Sequence, residues 1–258
     1  MLGQLAKGLD RKVTWVTGGA SGIGRYTALA FAREGARVVV SDGNFQGGEE
    51  TVRMIEDCGG DALFVRADVS DSCQVKGMVE TIISGYGRLD CAFNNAEITV
   101  TRRTGLVDFT DEEWDRLLDI NLKGVWLCLK YEIPEMLKSG WGAIVNTSST
   151  EGLVATQGLV SYVSSKHGVA CLTKAAALEH AQDRIRVNAV CPGSIRTPLT
   201  EAVMAANVGA EARYNASSAM GRMGLPQEVA EAMVWLCSDA ASFVTGPTMT
   251  VDGGEVAE

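Results

Sequence analysis

The feature that most limits how this chain can fold is a repeating alternation of short apolar runs with longer helical segments. Lys12–Thr17, Arg37–Ser41, Ala62–Arg66, Leu89–Phe93, Ala143–Thr147, Arg186–Val190 and Thr248–Val251 read as strands. An unbroken run such as Val38-Val39-Val40 suits a strand covered on both faces of a parallel sheet. Between the strands, Ile23–Glu34, Gly48–Cys58, Gln74–Tyr86, Asp111–Ser139, Val160–Gln182 and Gln227–Cys237 read as helices. Gly35 stops the first, Thr110-x-x-Glu113 has the form of a capping box, and Pro226 is a favoured first-turn residue. No linker, repeat or low-complexity tract interrupts the pattern, so residues 1–258 are expected to form one α/β domain, a single doubly wound parallel sheet with helices on both faces.

Bulk properties narrow the function. Apolar residues make up 46% and charged residues 21% of the chain, values of an ordinary soluble globular protein. A net charge of −9 without any basic run argues against a nucleic-acid partner. Met1–Asp10 lacks a long apolar stretch, and no apolar run reaches membrane-spanning length, so no membrane association is expected. The seven cysteines are odd in number, scattered and free of any C-x-x-C pair. They read as reduced residues of a cytoplasmic protein, with no metal site and no disulfide framework.

Two motifs carry chemistry. Thr17-Gly18-Gly19-Ala20-Ser21-Gly22-Ile23-Gly24 follows a strand and opens a helix, a context in which glycines permit a tight turn and the close approach of a pyrophosphate to the positive helix N-terminus. Asp42, at the end of the second strand, suits an acidic residue that bonds the adenine ribose hydroxyls and repels a 2′-phosphate, which favours NAD over NADP. In Tyr162-Val163-Ser164-Ser165-Lys166, spacing four apart puts the phenol and the ammonium on one helix face. A fixed cation beside a phenol is expected to lower its pKa from about 10 toward neutrality and make it a usable acid/base. Ser149 stands thirteen residues upstream, just past an apolar strand.

With these segments in order, joined by Asp68-Val69, Asn94-Asn95-Ala96, Asn121 and Pro192-Gly193, the chain from about Lys12 to Gly254 resembles the short-chain dehydrogenase/reductase family. Its texture around Lys166-His167-Gly168-Val169 and Asp239–Gly246 is similar to secondary-alcohol dehydrogenases of the cyclohexanol and cyclic-diol kind. The resemblance implies a Rossmann fold, with Tyr162 exchanging a proton with the substrate oxygen and Lys166 lowering its pKa while holding the nicotinamide ribose. It implies that Ser149 orients the reacting carbonyl or hydroxyl and that Asn121 anchors a water joining Lys166 to solvent. Gly18, Ser21, Gly22, Ile23 and Gly24 would form the phosphate turn, Asp68 and Val69 would flank the adenine, and Asn95 the adenosine ribose. Pro192, Gly193, Ile195 and Thr197 would lie along the nicotinamide, with Ile195 and Thr197 at its carboxamide. The implied assembly is a homotetramer with Asp111–Ser139 and Val160–Gln182 at a subunit interface; Ala170, Ala175, Ala176 and Ala177 of the second segment are small enough for close helix approach there, or else simply pack on the sheet.

The expected activity is therefore NAD-dependent interconversion of a small-molecule secondary alcohol and a ketone. A 3-oxoacyl-thioester reductase, a polyol or sugar dehydrogenase and a non-enzymatic dinucleotide sensor are the rival readings. Residues 194–225, which lack clean periodicity, are expected to form a substrate lid, with Met204, Met220 and Met223 in or near it. His167 and His180 read as structural, and Glu151 either lines the pocket or faces solvent. One departure stands out: the family usually has Gly after Asn-Asn-Ala, and this chain has Glu97. A carboxylate there needs a partner. Either Arg102 or Arg103 clamps it, or it bonds a substrate hydroxyl or amine, or it faces solvent.

Overall fold

The computed structural model describes residues 8–100 and 103–257. Strands β1 (Val13–Thr17), β2 (Arg37–Asp42), β3 (Asp61–Arg66), β4 (Cys91–Asn94), β5 (Gly142–Thr147), β6 (Ile185–Pro192) and β7 (Thr248–Val251) form one sheet in the order β3-β2-β1-β4-β5-β6-β7. Every neighbouring pair is parallel. The doubly wound sheet expected from the alternation is what forms.

The two faces of the sheet sort by the strand period of two. Val16, Val38, Val40, Phe93 and Val145 point to a layer made by α1 (Gly22–Arg33), α2 (Phe45–Asp57) and α9 (Pro226–Cys237). Val13, Trp15, Val39, Ala92 and Ile144 point the other way, to α3 (Ser72–Tyr86), α5 (Gly124–Ser139) and α6 (Val160–His180). Each fully buried Val, Ile or Phe contributes about 1.5–3 kcal/mol of transfer free energy, so both faces are strongly anchored. Trp15 keeps its polar atom satisfied in this layer by donating from Nε1 to Ser41 Oγ at 2.8 Å.

Local capping explains where element ends differ from the sequence reading. Asn44 accepts from the Gly47 amide and starts α2 at Phe45, and Asp71 accepts from the Cys73 and Gln74 amides and starts α3 at Ser72. The long helix expected over Asp111–Ser139 begins with the anticipated Thr110/Glu113 capping box as α4 (Asp111–Leu118). It then passes through a π-helical stretch, Asp119–Lys123, before continuing as α5. Residues 194–225 contain two short helices, α7 (Pro198–Ala206) and α8 (Ala210–Ser217). Nine- and eight-residue helices show too few turns to announce themselves by period.

Because the order reverses between β1 and β4, the connections after these two strands leave toward opposite faces. A crevice opens at the carboxyl ends of the sheet, where ligands of such folds bind. All seven cysteines are free. Among the described residues no helix is long and apolar enough to cross a membrane, and no group of three His, Cys, Asp or Glu could hold a metal.

Candidate active site

A cleft of about 990 Å³ occupies this crevice. At one end lies the glycine turn. Gly18 adopts φ +66°, and a Cβ on Gly24 would come within 2.2 Å of the Gly18 carbonyl oxygen. Only glycine lets strand, turn and helix close on one another here. Gly18, Ser21, Gly22 and Ile23 face the cleft, while Gly24 serves the packing behind it. Asp42 lines the same end, its carboxylate accepting from the amides of Ala20 at 3.1 Å and Asn44 at 2.8 Å. Arg25, on α1, is turned to the carbonyls of Ala20 and Gly47 and to Glu50.

The middle of the cleft is set by β4 and its loop. Asn95 faces it and is fixed by donating from Nδ2 to the Thr17 carbonyl at 3.1 Å, while its Oδ1 accepts from Thr147 Oγ1 at 3.4 Å. On the other side Pro192, Gly193, Ile195 and Thr197 line the wall, with Thr197 capping α7. Asp68 and Val69 stand apart. Asp68 is exposed and accepts from Ser70, and Val69 is buried near Gly124 on α5.

The chemical end gathers Ser149, Tyr162 and Lys166. Ser149 follows β5 and accepts from the Glu151 amide at 3.1 Å. Lys166 is buried, 1% exposed, and donates from Nζ to the Thr147 carbonyl at 2.9 Å. Its Nζ lies 5.5 Å from the Tyr162 ring centroid. The helix spacing thus does bring phenol and ammonium together. Asn121 sits in the π-helical stretch behind the cleft, its side chain engaged by the backbone of Ile98.

The structure corrects the reading of Glu97. Its carboxylate pairs with Lys166, and its Oε2 accepts a hydrogen bond from the Tyr162 hydroxyl at 3.3 Å. Arg103 instead donates to the Gln157 carbonyl, and Arg102 lies outside the described residues. The physical reason is depth: the loop leaving β4 at the switch point runs over the cleft, and a buried ammonium attracts a carboxylate more strongly than a solvated guanidinium does.

The Tyr162 pKa also departs from expectation. It is raised well above 10, first by burial around the hydroxyl and next by the Glu97 charge; the Ser149 hydroxyl opposes this, and Glu151 adds to it. The lysine does not pull the phenol down here, because Glu97 and the Thr147 carbonyl engage its ammonium.

Several neighbours escaped sequence reasoning. Thr147 holds both Lys166 and Asn95; its place at the end of an apolar strand was the only available signal. Beneath the cleft, Asn94 donates to Glu132 at 3.1 Å and to Asn146 at 3.0 Å, and Asn146 donates to Thr173 at 2.9 Å. Glu151 lines the cleft, which settles one open alternative. Met204, Met220 and Met223 do not; Leu199, Val203 and Tyr214 supply that wall, since α7 and α8 turn those side chains inward.

A glycine turn, an acidic residue at the end of the second strand and a Ser-Tyr-Lys group at one crevice define a dinucleotide-dependent oxidoreductase of the doubly wound class. Comparison with known proteins agrees. Residues 18–255 match the family model described as enoyl-(acyl carrier protein) reductase. The chain is 44% identical over 248 residues to a cyclohexanol dehydrogenase of Acinetobacter sp. (strain SE19), covering 95% of this chain and 94% of that one. It is 42% identical to the 2,5-dichloro-2,5-cyclohexadiene-1,4-diol dehydrogenase of Sphingobium indicum, over 95% of this chain and 97% of the relative. The crystal structure of levodione reductase superposes with a TM-score of 0.91 at 33% identity, covering 96% and 98% of the two chains. The chain belongs to the short-chain dehydrogenase/reductase family.

Proposed function

We propose that the protein is an NAD-dependent dehydrogenase that interconverts a small apolar or cyclic secondary alcohol and its ketone. The observation that carries this reading is the convergence of Ser149, Tyr162 and buried Lys166 at one end of a cleft whose other end holds Gly18, Gly22 and Asp42. An extended dinucleotide fits: the glycines leave backbone open for a pyrophosphate, and the Asp42 carboxylate suits ribose hydroxyls and disfavours a 2′-phosphate. Relatives named for cyclohexanol and for a cyclic diol support the substrate class.

In this reading Gly18, Ser21, Gly22 and Ile23 hold the pyrophosphate, with Gly24 shaping the turn. Asp42 and Asn95 hold the adenosine end, which Asp68 and Val69 border from farther out. Pro192, Gly193, Ile195 and Thr197 hold the nicotinamide end, and Lys166 its ribose. The bound dinucleotide supplies hydride transfer at its nicotinamide C4. Ser149 donates to or accepts from the substrate oxygen and orients it. Tyr162 gives that oxygen a proton in reduction and takes it in oxidation. Asn121 keeps the loop beside Lys166 in place. Residues 194–225, through Leu199, Val203 and Tyr214, close over the substrate and exclude water.

We further assign a homotetramer in the cytoplasm. The seven free cysteines support a reducing compartment. An apolar hollow on the outer face of α4, α5 and α6, lined by Leu118, Leu122, Trp126 and Ala175, supports the assembly.

The test is a screen of cyclic and open-chain secondary alcohols and ketones with NAD(H) and NADP(H), read at the nicotinamide absorbance, beside the Tyr162→Phe variant. The expected result is turnover of a cyclic alcohol with NAD that falls at least about 10²-fold in the variant while cofactor binding persists. More than half of wild-type turnover in the variant would overturn the role of Tyr162.

A further inference from the structure

Glu97 stands where the family usually carries glycine, and it touches both members of the Tyr-Lys pair. Its Oε2 accepts the Tyr162 hydroxyl at 3.3 Å, and its carboxylate pairs with Lys166. The glutamate side chain keeps 21% of its surface open to the cleft, whereas Lys166 keeps 1%. The backbone one residue on is anchored, because both backbone polar groups of Ile98 are bonded to Asn121. The Glu97 carboxylate is thus engaged by Tyr162 and Lys166 on a loop whose next residue is tied to the helix layer.

We propose that Glu97 is a positioning residue that holds Tyr162 in its protonated form: by pairing with Lys166 and accepting the phenol O–H, it keeps on the tyrosine the proton that ketone reduction uses and lowers the share of phenolate that alcohol oxidation needs. This rests on the role given to Tyr162 above. In reduction the Tyr162 O–H bond breaks and its proton goes to the substrate oxygen, while a bound reduced nicotinamide dinucleotide would supply the hydride that the carbonyl carbon takes up. The phenolate left behind recovers a proton from solvent. A carboxylate next to the phenol disfavours its ionised form, so at a given pH more of the enzyme carries the proton that reduction starts with and less of it carries the phenolate that oxidation starts with.

The other charged and titratable groups around the phenol do not substitute for Glu97. Lys166 lies one turn further along the same helix, and Cys191 faces Lys166 from β6. Glu151 approaches from the loop after β5 and adds a smaller push in the same direction. Arg103, Arg213, Tyr214 and Glu255 line the cleft farther from the hydroxyl, and Asp42 lies at its opposite end. Asp252 acts on Glu255 and Cys191. Of the carboxylates, Glu97 alone among the described residues accepts a hydrogen bond from Tyr162.

The experiment compares wild type with Glu97→Gln and Glu97→Asp in two measurements. In the first, kcat/KM for oxidation of cyclohexanol by NAD is followed against pH. The rising limb is expected to move down by about one pH unit or more in Glu97→Gln, giving roughly tenfold faster oxidation on that limb, and to return toward the wild-type position in Glu97→Asp. In the second, the phenolate ultraviolet absorbance of the cofactor-free enzyme is titrated, with Tyr162→Phe subtracted to isolate the one phenol. Tyr162 is expected to ionise at lower pH in Glu97→Gln than in wild type. Glu97→Gly, with the residue usual in the family, carries the same expectation if Glu97→Gln does not fold. An unmoved or raised midpoint overturns the role of Glu97 even where Tyr162→Phe abolishes turnover. A fully active Tyr162→Phe overturns instead the assignment of Tyr162.

Discussion

Asn121 exchanges two hydrogen bonds with the backbone of Ile98, its Oδ1 accepting the amide at 2.9 Å and its Nδ2 donating to the carbonyl at 2.8 Å. Asparagine is a mediocre helix former, and here it lies in the π-helical stretch between α4 and α5. The widened turn and the paired amide together tie the helix layer to the loop that leaves β4. Asn121→Ala strands both Ile98 groups and is expected to cost about 1–3 kcal/mol of stability. Urea denaturation checks the cost, and hydrogen exchange at the Ile98 amide, expected to be faster, checks its location. An unchanged midpoint with unchanged exchange would show that the pairing holds nothing.

The fold and most of the cleft are legible in the sequence, for reasons that particular residues make plain. Runs such as Val38-Val39-Val40 can be satisfied only by a sheet covered on both faces, and helical spacing alone places Tyr162 over Lys166. What could not be read was which groups meet across the switch point. The partner of Glu97 is a lysine 69 residues away in sequence, not the arginines nearby, and no periodicity encodes that choice. The direction of the Tyr162 pKa could not be read either, since it is set first by burial of the hydroxyl and next by the Glu97 charge, neither of which the spacing to Lys166 reports. The alanines of α6 show a subtler failure. Ala170, Ala176 and Ala177 are buried within their own chain, and Ala175 alone of the four lines the outer hollow. Small size told that something approaches closely, but not from which side.

Asp42 sets cofactor choice in the proposed function. Asp42→Ala is expected to raise the KM for NAD by about tenfold, the loss of a charge-assisted hydrogen bond, and to narrow the gap to NADP. Because the carboxylate also accepts the amides of Ala20 and Asn44, Asp42→Asn is the milder companion that removes charge while keeping shape. Steady-state kinetics with both cofactors decide the matter. A parent enzyme that prefers NADPH would overturn the role.

Glu132 makes stability depend on pH. It is fully buried on α5, and burial raises its pKa from 4.5 to about 8, against an opposing bond from Asn94. The folded protein therefore keeps a proton on Glu132 that the unfolded chain gives up once pH passes 4.5. Stability from this group is complete below that value and falls as pH rises toward about 8, by about 1.4 kcal/mol per pH unit at the steepest. Glu132→Gln, which stays neutral, should lose less stability than wild type between pH 5 and pH 8 (roughly the window between the two pKa values). Thermal melts across that range test it. Parallel curves for the two proteins would mean that Glu132 does not carry the proton.

Assembly is the last expectation, and the structure sharpens where to look. The hollow formed by Leu118, Leu122, Trp126, Leu172 and Ala175 is mostly apolar, and the Trp126 side chain is 45% exposed in the single chain. Exposed tryptophan beside leucines is costly in water and is the composition of a buried interface centre. Ala175 and Gly168 present almost no side chain, so a second copy of the same helices can approach closely without a clash. A charge placed there would be buried unpaired in the assembly yet remain solvated in the free chain. Ala175→Glu is therefore expected to dissociate the protein while leaving the fold of each chain intact by circular dichroism. Light scattering at micromolar concentration should report four chains for wild type and fewer for the variant. A wild-type monomer would refute the tetramer, and an Ala175→Glu tetramer would move the interface to another face of the molecule.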